Sequence, residues 1–528
     1  MKRYILSVCT IIALSGMLFT SCSDVDDVND LELARVLSPT NLSAISSTLE
    51  PSITVSWTAM DNADEYVIEA YLEDPTFSSS PVVTATTSET TYVLADLVGE
   101  SEYNIRVKGV AEGVEDSKWS TITRKTAAEQ ILSVPYSGIE ETSIVVTWPS
   151  SKEVDQLDAI LDGEVVNSYD VSSADGSFTA TGLKGGKEYT FEIYLNGKRR
   201  GSIKQMTEIG KPESDYEITA TGISSSNSIA DMLKAVASQA ATDGKTSYSV
   251  TVLIPAGETV EFYSIKTEDG SKDNVTLPDG MSVYFYGDKT NMPTIDFGAK
   301  LLNVAGTHET IAFQKVKLTG TGYLINQSAA CNVTNLLFEI CEASGFTGNT
   351  FVRTQGSNSP TIDNVSLKKC LIHNCTNNYS LLDFRKAVLK NVLIENSTIY
   401  NATSTGKSIF QTDNNITSLT ISNTTFYNVC GNAQYFIDFG GTSYGADKFV
   451  IENVLLTKTA DDNTGKIIRA SSDPLVTNSY YTNDWYKAFT GLEIIDVDAA
   501  TIFSDPENGD FTLKSDYTGY QTGDPRWY

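Results

Sequence analysis

Four charged side chains in the second half of the chain, Arg353, Asp383, Arg385 and Asp438, fall in segments that read as short strands. Asp383-Phe384-Arg385-Lys386 occupies one such segment, and Phe410-Gln411-Thr412-Asp413 is its counterpart about one repeat later. Carboxylates accept hydrogen bonds and guanidinium groups donate them, so this set suits contacts to a carbohydrate as well as it suits plain solvation of a strand surface. Tyr400 and Tyr427 stand 27 residues apart and suggest a second kind of chemistry, the stacking of aromatic rings on sugar faces. Tyrosine is equally an ordinary strand residue. The chain has only two histidines, His308 and His373, so histidine-based catalysis is not expected, and no metal-ligand cluster or phosphate-binding loop stands out in the sequence.

A repeat positions these residues. Apolar anchors at Ile311, Val333, Leu367, Ile394, Ile421 and Ile451 are each followed five residues later by Val316, Phe338, Ile372, Ile399, Phe426 and Leu456. The anchors are 22, 34, 27, 27 and 30 residues apart, a spacing that brackets one coil of three strands and three turns and means a solenoid. Two residues after an anchor stand Asn335, Lys369, Asn396, Asn423 and Asn453, and seven after it Asn374, Asn401 and Asn428. Asparagine tolerates left-handed backbone angles at a corner, and its amide can bond to the amide stacked above it. The row six after the anchor, Glu339, His373, Tyr400, Tyr427 and Thr457, is predicted to face outward. Cys341 and Cys375, each eight after an anchor, are predicted to be neighbours on successive coils, as stacked thiols or as a disulfide. A leucine-rich repeat would need a helix per repeat, and a propeller would need glycine or tryptophan signatures absent from these rows.

The first part of the chain has a different texture. Short period-two runs, among them Ile53-Thr54-Val55-Ser56-Trp57 and Tyr103-Asn104-Ile105-Arg106-Val107, recur across residues 39–127 and signal a sandwich. Trp57 lies on an early strand and Leu97 precedes Tyr103 by six positions, a layout that resembles fibronectin type III modules. Residues 128–209 repeat it, with Trp148 closing Ile144-Val145-Val146-Thr147 and Leu183 six before Tyr189. Modules of this kind commonly act as spacers or protein-binding surfaces, and neither holds a catalytic constellation. After Lys211-Pro212, the spacing of Ile229, Met232, Leu233, Val236 and Ala237 predicts an amphipathic helix over residues 228–241, suited to cap the open end of a solenoid.

With its asparagine ladders, anchor rows and capping helix, the stretch 210–495 resembles the pectate-lyase-type right-handed parallel β-helix. The fold class is therefore all-β, two immunoglobulin-like sandwiches followed by a right-handed parallel β-helix. Residues 496–528, with Phe503-Ser504-Asp505-Pro506 and Gly523-Asp524-Pro525-Arg526-Trp527, resemble the C-terminal segment of Bacteroidota lipoproteins placed in a domain class of unknown function. The resemblance implies a surface for uronic-acid polymers. A lyase on this fold would use carboxylates to hold calcium against the uronate and an arginine or lysine as base, whereas a binder needs no cofactor.

The N-terminus reads Met1-Lys2-Arg3, an apolar run to Phe19, then Thr20-Ser21-Cys22. This is the basic, apolar and small-residue order of an export signal, too short to span a membrane. Leu18 to Cys22 resembles a bacterial lipobox with Cys22 as the lipidated residue, so 1–22 is assigned to the signal and 23–38 to an acidic linker. Ser23-Asp24-Val25-Asp26-Asp27 resembles the tag that directs Bacteroidota lipoproteins to the cell surface. Outer-membrane attachment through lipid follows, with a polysaccharide as partner. Net charge of −29 argues against nucleic acid. Three functions remain: binding of an acidic, pectin-like polysaccharide, a lyase on such a polymer, or an adhesin or structural surface protein. Cys22→Ala is expected to move the protein from the membrane to the soluble fraction, because acyl chains would be its anchor; unchanged fractionation rejects the lipobox.

Overall fold

The computed structural model describes residues 34–528, except 49, 356–359, 376–378, 404–406, 432–433, 461–465 and 487. Cys22 and the rest of residues 1–33, on which the export-signal assignment rests, lie outside the described residues. Two compact units are present, one formed by residues up to 134 with 145–180 and 188–205, the other by 135–144, 181–187 and 206–528.

In the first unit, strands Thr40–Ser46, Ile53–Thr58 and Thr91–Leu94 make one sheet of the first sandwich. Glu65–Leu72 and Glu102–Val110 form the middle of the facing sheet, flanked by Val83–Thr87 and Ser120–Lys125. The alternation in Ile53, Val55 and Trp57 places all three in the core, where the Trp57 ring meets Tyr66 edge-on at 5.2 Å. Tyr103 is buried and its hydroxyl accepts the Val98 N–H at 2.8 Å, the corner anticipated from the Leu97 to Tyr103 spacing. In the second sandwich a four-stranded sheet is centred on Gln156–Leu161 and Glu188–Leu195, and Ser143–Thr147 pairs with Ser177–Thr181.

The second unit is a parallel solenoid of three sheets, with ten, ten and eight strands. Its axis is lined by a row that runs Phe285, Phe313, Phe338, Leu367, Ile394, Ile421, Ile451 and Val476 in successive register pairs. Phe285, Phe313 and Phe338 stack at 4.9 and 5.5 Å with rings nearly parallel. Four anchors, Leu367, Ile394, Ile421 and Ile451, share this row as expected. The earlier two do not: Ile311 pairs with Leu336, and Val333 with Ile362. Several inward positions on each strand are apolar, so hydrophobicity leaves the register open to slips that the backbone ladder does not permit.

The slip explains three further corrections. Asn335 lies inside a strand, where it starts a ladder with Asn364, Asn391 and Ser418 at 2.8–3.0 Å. Glu339 pairs with Gln314 and Lys368, so Ser344 takes its place in the row of His373, Tyr400 and Tyr427. Cys341, just before the Glu342–Leu371 pair, has Cys370 as its neighbour and not Cys375. All five described cysteines are buried and none forms a disulfide, and burial pushes the Cys375 thiol up to about 12.

Corners follow the asparagines. Lys369, Asn396, Asn423, Asn453 and Asn478 have φ between 42° and 54°, and Asn374, Asn401 and Asn428 between 48° and 50°. Asn453 donates to Asn423 at 3.0 Å, Asn478 to Asn453 at 2.7 Å and Asn428 to Asn401 at 2.6 Å. At the other end, helix α1 (Ile229–Thr242) is capped by a reciprocal Ser228–Asp231 box and buries Ile229, Leu233 and Val236 in the solenoid core. Asn401→Leu is expected to destabilise the fold by about 1–3 kcal/mol, because it removes the acceptor of Asn428 and forces a branched side chain to positive φ. Equal denaturation midpoints for mutant and wild type would remove the ladder from the account of stability.

Candidate functional site

The outward face of the eight-stranded sheet gathers the charged residues. Its strands include Tyr323–Gln327, Thr350–Thr354, Leu382–Asp383, Phe410–Gln411, Tyr435–Asp438 and Lys466–Arg469. Inward positions Ile325, Val352, Leu382, Phe410 and Ile437 enter the core and fix the pleat. The next position on each strand then forms one row: Asn326, Arg353, Asp383, Gln411, Asp438 and Arg469. Arg353, Asp383 and Asp438 thus meet in a single line, and Arg385 joins it from two residues beyond Asp383.

The row is knitted by ion pairs. Arg385 grips Asp383 through Nε at 2.9 Å and Nη2 at 2.7 Å, while Arg353 Nε lies 3.5 Å from the same carboxylate. Arg469 grips Asp438 in the same two-pronged way, at 2.7 and 2.8 Å, and Gln411 donates to Asp438 at 3.1 Å. Asp383 is wholly buried, whereas the side chains of Arg385 and Arg469 are about a third exposed, 34% and 30%. Each hydrogen-bonded carboxylate raises the pKa of its arginine and keeps the guanidinium charged. Arg353 Nε and Asn326 Oδ1, on adjacent rungs, are buried without a hydrogen-bond partner.

Aromatic rings border this row. The Arg353 guanidinium lies 3.6 Å from the Tyr379 ring centroid, Tyr323 stands 6.3 Å from Tyr379, and Arg469 lies 4.7 Å from Tyr435. Sequence reasoning missed these three tyrosines and Arg469. Arg469 continues the Asp438 row by one more coil and could have been found by extending it. Tyr379 lies outside any strand, so no periodic signal marks it.

Tyr400 and Tyr427 do not form an exposed strip. They share an outward row of a different sheet, but both are buried, 7% and 1% exposed, beneath the C-terminal segment. Phe511 packs edge-on against both rings at 5.1 and 5.4 Å, within a cluster that includes Ile502, Phe503 and Leu513. Glu507 accepts the Tyr427 hydroxyl at 2.6 Å. Gly509, at φ 88°, lets the strap approach closely, since a Cβ there would stand 2.6 Å from the Tyr400 hydroxyl. Further along, Thr398 donates to Asp524 at 2.7 Å and accepts the Trp527 indole at 2.8 Å. The outward direction was legible from the row, but the register contained nothing about a later segment folding back over it.

Two families match parts of the chain. The fibronectin type III domain matches residues 37–126, and a domain of unknown function, DUF5123, matches residues 419–527, from the last coils through the strap. Among solved structures, a two-domain fibronectin type III segment of chicken tenascin is 19% identical, with 32% of this chain and 99% of that one covered and a TM-score of 0.25. The FN1–FN3 domains of chicken CNTN1 are 16% identical over 33% of this chain and 68% of that one, with a TM-score of 0.15. The chain therefore joins a fibronectin type III domain and a second sandwich to a parallel β-solenoid.

Phe511→Ala should cost about 3–5 kcal/mol, because the ring is fully buried between Tyr400 and Tyr427 and leaves a cavity. Thermal unfolding with tyrosine fluorescence measures it; a loss under about 1 kcal/mol would mean that the strap contributes little to the solenoid.

Proposed function

We propose that this protein is a lipid-anchored, cell-surface glycan-binding protein whose ligand lies along the outward face of the eight-stranded sheet. The supporting observation is the row from Asn326 to Arg469 with Tyr323, Tyr379 and Tyr435 beside it. Rings that can stack on sugars and fixed polar groups that can orient hydroxyls are what such binding requires. A stack of coils repeats these groups along one axis, as an extended polysaccharide repeats its sugars. The sandwiches are then the modules through which the chain runs from the lipid to the solenoid.

Lyase chemistry is the less favoured reading. It needs a base free to take a proton from carbon, and Arg385 and Arg469 are each held by a carboxylate that stabilises their protonated form. Among the described residues no group of three His, Cys, Asp or Glu side chains is placed to hold a metal ion.

Affinity electrophoresis over a panel of polysaccharides tests the reading. Replacing Tyr379 and Tyr435 by alanine should weaken retardation by about fivefold per ring, from about 1 kcal/mol of stacking each, with circular dichroism unchanged. Undiminished retardation of the double mutant would remove this face as the binding site.

A further inference from the structure

We infer that the ligand of this face is an uncharged, hydroxyl-rich glycan and not the acidic polymer that the fold resemblance implied. The inference rests on the glycan-binding reading and adds the chemical class of the ligand.

The argument begins with how the arginines are used. A receptor for carboxylates or sulfates offers an unpaired guanidinium, whose two parallel N–H groups match two anionic oxygens. Here Arg385 and Arg469 already direct Nε and Nη2 to Asp383 and Asp438. Arg353 leans on the same Asp383, with its face against Tyr379 and its Nη1 3.4 Å from the Tyr323 hydroxyl. The row thus places three guanidinium groups on two carboxylates, and each of its cations has a neighbouring anion. The flanking pair Lys386–Asp413, 3.9 Å apart, follows the same rule.

A carboxylate on the incoming sugar would meet Asp383 or Asp438 behind every arginine it approached. Like charges close together are costly, and the surrounding chain, at −29, adds long-range repulsion. A hydroxyl meets no such opposition. It donates and accepts, and the half-buried Gln411 amide beside Asp438 and the partly exposed Arg385 guanidinium beside Asp383 are groups it can meet. Ion pairing keeps those donors and acceptors rigid, which lowers the ordering cost of binding. Tyr379 and Tyr435 supply the apolar contact that neutral sugar faces need.

The intact protein should be retarded in gels containing a neutral galactomannan or mixed-linkage glucan, with little change between 50 and 300 mM salt, and hardly at all by polygalacturonate or alginate. Asp438→Asn frees Arg469 from its carboxylate and should create retardation by polygalacturonate at low salt, several-fold above wild type and abolished by added salt. Asp383→Asn is the parallel variant at Arg385, and melting curves accompany both. Salt-sensitive retardation of the wild type by polyuronates, with none by neutral glycans, would overturn the inference and leave glycan binding standing. Retardation by no glycan at all would overturn both.

Discussion

Successive coils of the solenoid hydrogen-bond in parallel and in register, so whatever stands at one position of a coil stands directly against its counterpart on the next. Strand neighbours are about 4.8 Å apart, a spacing too short for unlike demands. Inward rows must then be apolar throughout, as the line from Phe285 to Val476 is. Corners must all turn the same way, and Asn396, Asn423, Asn453 and Asn478 do so at positive φ, with the Asn453 amide bonded to Asn423 and the Asn478 amide to Asn453. Outward rows of charge can persist only if like charges are kept off adjacent rungs, because like charges stacked at that distance repel.

The face with Arg353, Asp383 and Asp438 obeys that last rule, and its chemistry follows. Three guanidinium groups share two carboxylates there, so the pairs that stabilise the stack also hold its charged groups in fixed positions. Rigidity comes from the backbone ladder beneath, since Asp383 and Asp438 lie at strand ends whose inward neighbours Leu382 and Ile437 are fully buried.

Much of this was legible from residue spacing. The helix over Ile229 to Thr242, the tryptophan and tyrosine marks of the first sandwich, and the left-handed asparagine corners are all local signals, and each is present. Register was legible only from Leu367 onward, where coils of 27 and 30 residues carry asparagine at the same corner. Before that, Lys315 and Ile340 occupy the left-handed corner without an asparagine to mark it, so Ile311 and Val333 were aligned to the wrong rows. That slip displaced Asn335, Glu339 and the partner of Cys341 together. The covering of Tyr400 and Tyr427 by Phe511 was illegible for another reason: it depends on residues more than eighty positions away, with no repeat to announce them.

The strap has a consequence for the order in which the molecule can be completed. Thr398 donates a hydrogen bond to Asp524 and accepts one from Trp527, 126 and 129 positions later in the chain. Coils around Ile394 and Ile421 can stack as soon as they are made, because their contacts are with adjacent turns. Their outer tyrosine face, however, stays wet until Phe511 and Trp527 have emerged and folded back. For that interval the nascent chain carries an apolar stripe on an otherwise finished wall, which makes it a place where a chaperone would bind or two unfinished chains would adhere.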